Sequence, residues 1–320
     1  MENNGRLLQI ADNTPVNQLN TGCNDMSENL HCWTHNPKQH NAIVLFVHGG
    51  PGSHSHYFKE WLQRYPIYSE RFGWISYDQR GCGLSAKSPA LTHQDNVNDL
   101  IAIIHRLGVR HPGLCAVVGH SYGARLLYDA LKQDDTIETK AVFLGRSLRP
   151  DIPAKRNFLI DQILMKIFQR DDYATLMQEV EYDIQNPASL WSAKQAFREK
   201  LKHRDLRALF YWSNFQAMDE YAAIKAQTEL QESDEVFKQI TGSIHTQSGP
   251  DDVYDFGSLK QASLNIMGAG DFVMAGDTYT APADNAYSAR MFSKSGHYPH
   301  LEEPEQFIAT LERFLLHRHV

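Results

Sequence analysis

Apolar residues fall into two rhythms along the chain. A continuous β-branched apolar run occurs at Ala42–Val47, and further short strand-like segments at Trp74–Tyr77, Leu114–Val118, Lys140–Leu144, Ala262–Met267 and Ala286–Phe292. Runs of this length without strict polar alternation suit strands covered on both faces, as in a parallel sheet. Between them the spacing changes to that of helices with one apolar side. Asn96–Leu107 is the clearest case, with Leu100, Ile101, Ile104 and Leu107 at helical intervals. Tyr57–Tyr68, Arg125–Lys132 and Glu303–Leu316 read in the same way. Strands alternating with helices, with glycine-bearing loops after the strands, predict the α/β class and a mostly parallel sheet flanked by helices.

The alternation stops at about Arg146 and returns at about Gly257. The stretch between holds helical segments at Phe158–Phe168, Tyr173–Ile184, Leu190–Leu201 and Asp205–Ala223, with few strand-like runs. This divides the chain into a discontinuous α/β core, residues 1–145 and 258–320, and a helical insertion, residues 146–257. Residues 1–41 are polar and rich in Asn and His. They predict an extended or hairpin-like lead-in whose register the pattern does not fix.

Chemistry enters at the loops. Gly119-His120-Ser121-Tyr122-Gly123 fits G-x-S-x-G between a predicted strand and a predicted helix. That context places a serine at the apex of a sharp strand-to-helix turn. A serine hydroxyl needs a base to act as a nucleophile at neutral pH. In sheet-based hydrolases the acid and then the histidine follow the serine along the chain. His297, in the loop before the last helix, is the expected base, ahead of His300. The expected acid is Asp271, which follows the strand Leu264–Met267; Asp277 is the alternative. Its task would be to hold the imidazole tautomer and stabilise the imidazolium. An oxyanion hole would take one N–H from Tyr122 and another from the loop His48–Gly52. Pro51 has no N–H, which leaves Gly49 or Gly50, with Gly50 preferred.

Together these segments resemble the α/β-hydrolase fold, and more narrowly its proline iminopeptidase-like group. The resemblance rests on VHGGPG at 47–52, DQRGCGLS at 78–85, GHSYGA at 119–124 and GHYPHLEEPEQF at 296–307. It spans about 42–145 and 260–318, in the family's order. It implies Ser121, Asp271 and His297 as a triad, Gly50 and Tyr122 as the oxyanion hole, and the insertion as a cap. It also implies that Asp78 and Arg80 are architectural. Aminopeptidase members of the group carry GGSWG around the nucleophile and a cap motif W-x-x-W-E whose glutamate holds the substrate's amino group. Here the sequence reads GHSYG, and the nearest match to the cap motif is Trp212-Ser213-Asn214-Phe215-Gln216, with an amide at the acidic position. Trp212, Phe215 and Gln216 are therefore candidate substrate contacts. Glu232 is the candidate replacement carboxylate, with Glu229 and Glu235 beside it.

Composition narrows the partners. Lys and Arg number 31 against 38 Asp and Glu, a net charge of −7, which does not predict a nucleic-acid partner. No run approaches the ~20 apolar residues of a membrane helix. Cys23, Cys32, Cys82 and Cys115 match neither a zinc ribbon nor a CxxC pair, so free thiols in a reducing compartment are expected. The first 30 residues lack a basic start followed by an apolar run, which adds to a cytoplasmic expectation. His54 and His56 have no third ligand spaced nearby, and neither metal nor cofactor is expected. The reading is a serine hydrolase forming an acyl-enzyme from a small peptide or small acyl substrate, foremost an aminopeptidase of proline iminopeptidase type. A small-molecule esterase or lactonase would use the same triad. A ligand-binding module without turnover is the reading from a different class.

Overall fold

Seven strands form one sheet in the order β1-β3-β2-β4-β5-β6-β7. They are β1 (Cys32–His35), β2 (Ile43–Val47), β3 (Gly73–Tyr77), β4 (Leu114–His120), β5 (Lys140–Leu144), β6 (Ser263–Gly268) and β7 (Tyr287–Phe292). The computed structural model describes residues 30–36, 42–88, 91–147, 149, 151–247, 254–274 and 287–316. All pairings are parallel except β1 with β3, whose register sets Trp33 against Ser76. The expected lead-in thus includes an antiparallel edge strand. Residues 1–29 lie outside the described residues.

The unbroken apolar strands are explained by cover on both faces. On β2, Ile43, Leu45 and Val47 join one apolar cluster with Leu100 and Ile104 of α3 (His93–Arg110) and Leu127 of α4 (Tyr122–Gln133). Val44 and Phe46 join the opposite cluster with Phe58 and Trp61 of α1 (His56–Arg64). The predicted helix Tyr57–Tyr68 is in fact two, α1 and α2 (Ile67–Arg71), split before Pro66. Proline cannot donate an N–H within a helix, and it disfavours helical backbone in the residue before it. Two further helices, α10 (Pro299–Glu302) and α11 (Pro304–Leu316), close the chain.

Between β5 and β6 lie α5 (Asp151–Phe168), α6 (Arg170–Glu179), α7 (Pro187–Lys200), α8 (Phe215–Gln227) and α9 (Asp234–Gln247). The stretch Asp205–Ala223 is not one helix: a 3-10 turn at Asp205–Phe210 ends before Asn214, whose side chain caps α8 by accepting from Ala217 N–H. Met165 and Phe197 pack in a cluster that includes Met267 of β6 and Val273 beyond it. Trp212 and Ile224 join the β2 cluster of Phe46, and Ile240 joins that of Leu45. The inserted helices thus share apolar packing with both sides of the sheet.

Cys32 is disulfide-bonded, with its partner outside the described residues, while Cys82 and Cys115 are free. This corrects the expectation of four free thiols, and it removes the thiol argument for a reducing compartment. Cys82 is buried, which pushes its thiol up to about 12, as befits a packed residue. Among the described residues no helix is long and apolar enough to cross a membrane.

One buried carboxylate braces the loops at the carboxyl end of the sheet. Asp78 Oδ1 accepts from Ser55 N–H at 2.8 Å and from Ser55 Oγ at 2.7 Å; Oδ2 accepts from Leu84 N–H at 2.9 Å and lies 3.2 Å from His56 Nε2. Gly83 has a left-handed φ of 51°, and a Cβ there would clash with Asp78 Oδ2. Arg80 is held separately by a two-point pair with Asp99 at 2.7 and 2.6 Å. Burial alone would raise the Asp78 pKa, but His56 and the hydrogen bonds that Asp78 accepts outweigh burial and hold it far below the carboxylate range. Asp78→Ala should therefore cost about 3–5 kcal/mol of stability at pH 7, measured by urea unfolding. The depressed folded pKa makes this contribution complete above the unfolded value near ~4 and lost as pH falls below it. The gap between wild type and variant should accordingly narrow in acid.

Candidate active site

The site is assembled at the carboxyl ends of the parallel strands, where open α/β sheets bind their ligands. The chain leaves β4 at His120 and turns at Ser121, whose φ of 54° and ψ of −111° place a side chain in a backbone region that most residues avoid. Two close approaches force the turn. A Cβ at Gly119 would meet the Gly123 carbonyl oxygen at 2.5 Å, and one at Gly123 would clash with the Val47 carbonyl oxygen. Ser121 N–H donates to the Leu144 carbonyl at 2.8 Å, fixing the apex against β5.

Beyond β6, Asp271 is buried, and its Oδ1 accepts from the N–H groups of Val273 and Met274, both at 3.0 Å. Its other oxygen lies 2.7 Å from His297 Nδ1. A carboxylate can only accept, so Nδ1 carries the proton and Nε2 is left as the basic nitrogen. Ser121 and His297 line one cavity of about 340 Å³. Gly49, Gly50 and Tyr122 line it too. Asp277 lies outside the described residues. His300 is fully buried among Phe46, Phe58 and Phe307, with neither ring nitrogen bonded, and burial lowers its pKa to about 3.

Two elements unassigned from sequence hold this arrangement. His120 Nε2 donates to the His297 carbonyl at 2.9 Å, tying the residue before Ser121 to the loop of His297. Burial keeps His120 neutral. Glu302 gathers four backbone N–H groups: Ser213 and Asn214 at 2.8 Å on one oxygen, Gly296 at 2.9 Å and Tyr298 at 3.2 Å on the other. It thereby joins the histidine loop to the start of α8. Burial raises the Glu302 pKa, against the effect of those four bonds. A signal for Glu302 existed, since an acid in an otherwise packed turn shortly before a helix needs donors. His120 carried none.

The candidate specificity residues separate. Glu232 lines the cavity, where it accepts from Ser53 Oγ at 3.1 Å and from Lys225 Nζ. Trp212 does not line it: the indole is buried and stacks on Tyr298 at 4.2 Å. Phe215 is 53% exposed and Gln216 is exposed, and neither lines the cavity. His54 is fully buried with both nitrogens unbonded, and burial pulls it down to about 4.

The cavity wall is basic. Arg125, Arg146, Lys194, Arg198 and Arg207 line it, and Glu232 is the one acid among the described lining residues. Burial, with Arg198 adding to it, pushes Lys194 down to about 7. Its signal in the sequence was a charged residue on the apolar side of α7, in line with Leu190, Ala193 and Phe197.

Comparison with known proteins agrees with this architecture. Over 312 residues the chain is 24% identical to a probable aminopeptidase of Bacillus subtilis (strain 168), covering 87% of this chain and 90% of that protein. The structure of a proline iminopeptidase-related protein from Thermus thermophilus superposes with a TM-score of 0.64 at 17% identity, over 91% of this chain and 95% of the other. An esterase from Exiguobacterium antarcticum has the same fold at a TM-score of 0.54 and 16% identity, over 90% and 96%. Aminopeptidase-like and esterase relatives thus share one scaffold. The sequence profile of the alpha/beta hydrolase family matches residues 44–310, and the chain belongs to that family.

Proposed function

We propose that the protein is a serine hydrolase that works through an acyl-enzyme on Ser121. The observation that carries this reading is the 2.7 Å contact of His297 Nδ1 with Asp271, with His297 and the strained Ser121 turn on one cavity. In the first step the Ser121 hydroxyl adds to a substrate carbonyl carbon as His297 Nε2 takes its proton. The oxyanion is stabilised by the Tyr122 and Gly50 N–H groups. The tetrahedral species collapses, the leaving group takes the proton from His297, and the acyl group stays on Ser121. Water then adds to the ester, gives its proton to His297, and releases the acid and free serine. Residues 146–257 act as the cap over this site, since several of them line the cavity.

Among substrates, small esters stand ahead of peptides with a free amino terminus. An ammonium needs a carboxylate, and Glu232, the one described candidate in the wall, is already engaged by Lys225 and Ser53. The aminopeptidase reading is kept because of the similarity to the Bacillus protein. Comparing short-chain aryl esters with prolyl and other aminoacyl arylamides separates them. Turnover of esters without free-amine amides is expected, and faster cleavage of prolyl arylamides would reverse the order.

Covalent labelling tests the class. A fluorophosphonate should label the wild-type protein and not Ser121→Ala, and folded wild-type protein that resists labelling would favour a binding module. Asp271→Asn should lower kcat by about 10⁴, through the wrong histidine tautomer, with little change in KM.

A further inference from the structure

Five cationic side chains face the cavity, and three have their acids. Arg125 pairs with Asp129 at 3.3 Å, Arg198 with Asp234 at 3.8 Å, and Arg207 with Asp161. The other two form no ion pair among the described residues, although Asp129, already held by Arg125 and His93, lies near enough to Arg146 to favour its charge. Lys194 is 5% exposed; its ammonium lies near the rings of Trp191 and Phe237, 5.5 and 6.0 Å away, and its charged neighbour is the Arg198 guanidinium. Arg146, two residues beyond β5, is 6% exposed. One terminal nitrogen donates to Tyr254 Oη at 2.5 Å, the guanidinium lies 4.4 Å over that ring, and its buried Nε has no partner. A buried cation without an acid, as Lys194 is, is costly, and leaving one in a ligand cavity suits a ligand that brings the opposite charge.

We propose that the cavity takes a small acyl substrate bearing a carboxylate, and that Lys194 and Arg146 bind this carboxylate while Ser121 attacks a separate ester or amide carbonyl. The proposal rests on the serine hydrolase reading for its chemistry, but not for its binding. One ammonium, with a guanidinium partly taken up by Tyr254, suits a two-oxygen monoanion rather than a phosphate dianion. The depressed pKa of Lys194 agrees with such a subsite, because a carboxylate beside it would restore the charge that burial opposes.

The test compares 4-nitrophenyl hemiesters of succinate, glutarate and adipate with the neutral methyl esters of the same acids, and 4-carboxyphenyl acetate with its methyl ester. Wild type should prefer the anionic member of at least one pair by about tenfold or more in kcat/KM. Lys194→Met should reduce that ratio by about 10- to 100-fold and Lys194→Arg should restore part of it. Lys194→Met should also melt no lower than wild type, since it removes a buried unpaired charge. In parallel, calorimetry on Ser121→Ala should detect glutarate and not its dimethyl ester, which tests the subsite whether or not turnover occurs. Absence of glutarate binding, equal use of every pair, or a preference unchanged in Lys194→Met overturns the proposal. Failure of all esters with glutarate still bound would instead fault the serine hydrolase reading.

Discussion

The fold is organised around one backbone constraint, the left-handed turn at Ser121. The turn is held where Gly119 of β4 presses on the start of α4 and Gly123 presses on the end of β2, with no room for a Cβ at either glycine. From that apex the other parts are placed by contacts that radiate outward. Ser121 N–H anchors to β5, and His120 reaches the carbonyl of His297. Glu302 holds the same histidine loop from its far side, and Asp271 sets the ring. His297 is thus oriented through its backbone and its side chain alike.

The electrostatics follow from burial. The interior histidines 48, 54, 120 and 300 are kept neutral by desolvation. This leaves the positive charge around the cavity to arginine and lysine. The chain carries a net charge of −7, yet the wall of its cavity is basic. Net charge averages over the surface, whereas a cavity senses the groups within a few ångströms of it.

Much of the core can be read from sequence because its signals are local. β-branched runs give buried strands, and the motif around Ser121 combines a strand, a turn and a helix that physics permits in few ways. The edge strand at Cys32–His35 is hidden because an antiparallel edge lacks a continuous apolar run, and its pairing with β3 is a long-range choice. The inserted helices are legible as helices and opaque as a wall. Which side of α8 faces the cavity depends on tertiary packing, and the stretch Trp212–Gln216 that matches a known motif turns to the core and to solvent instead. Lys194 is visible only as a charge out of phase with its helix, and Glu302 only as an acid in a packed turn.

The central claim is that Ser121 carries the acyl group during turnover. The most direct measurement is acid quenching within milliseconds of mixing with a short-chain aryl ester, followed by intact-mass and peptide analysis. A transient acyl adduct approaching one per chain is expected on the peptide containing Ser121, and none in Ser121→Ala. An adduct on another residue, or ester turnover that persists undiminished in Ser121→Ala, would contradict it.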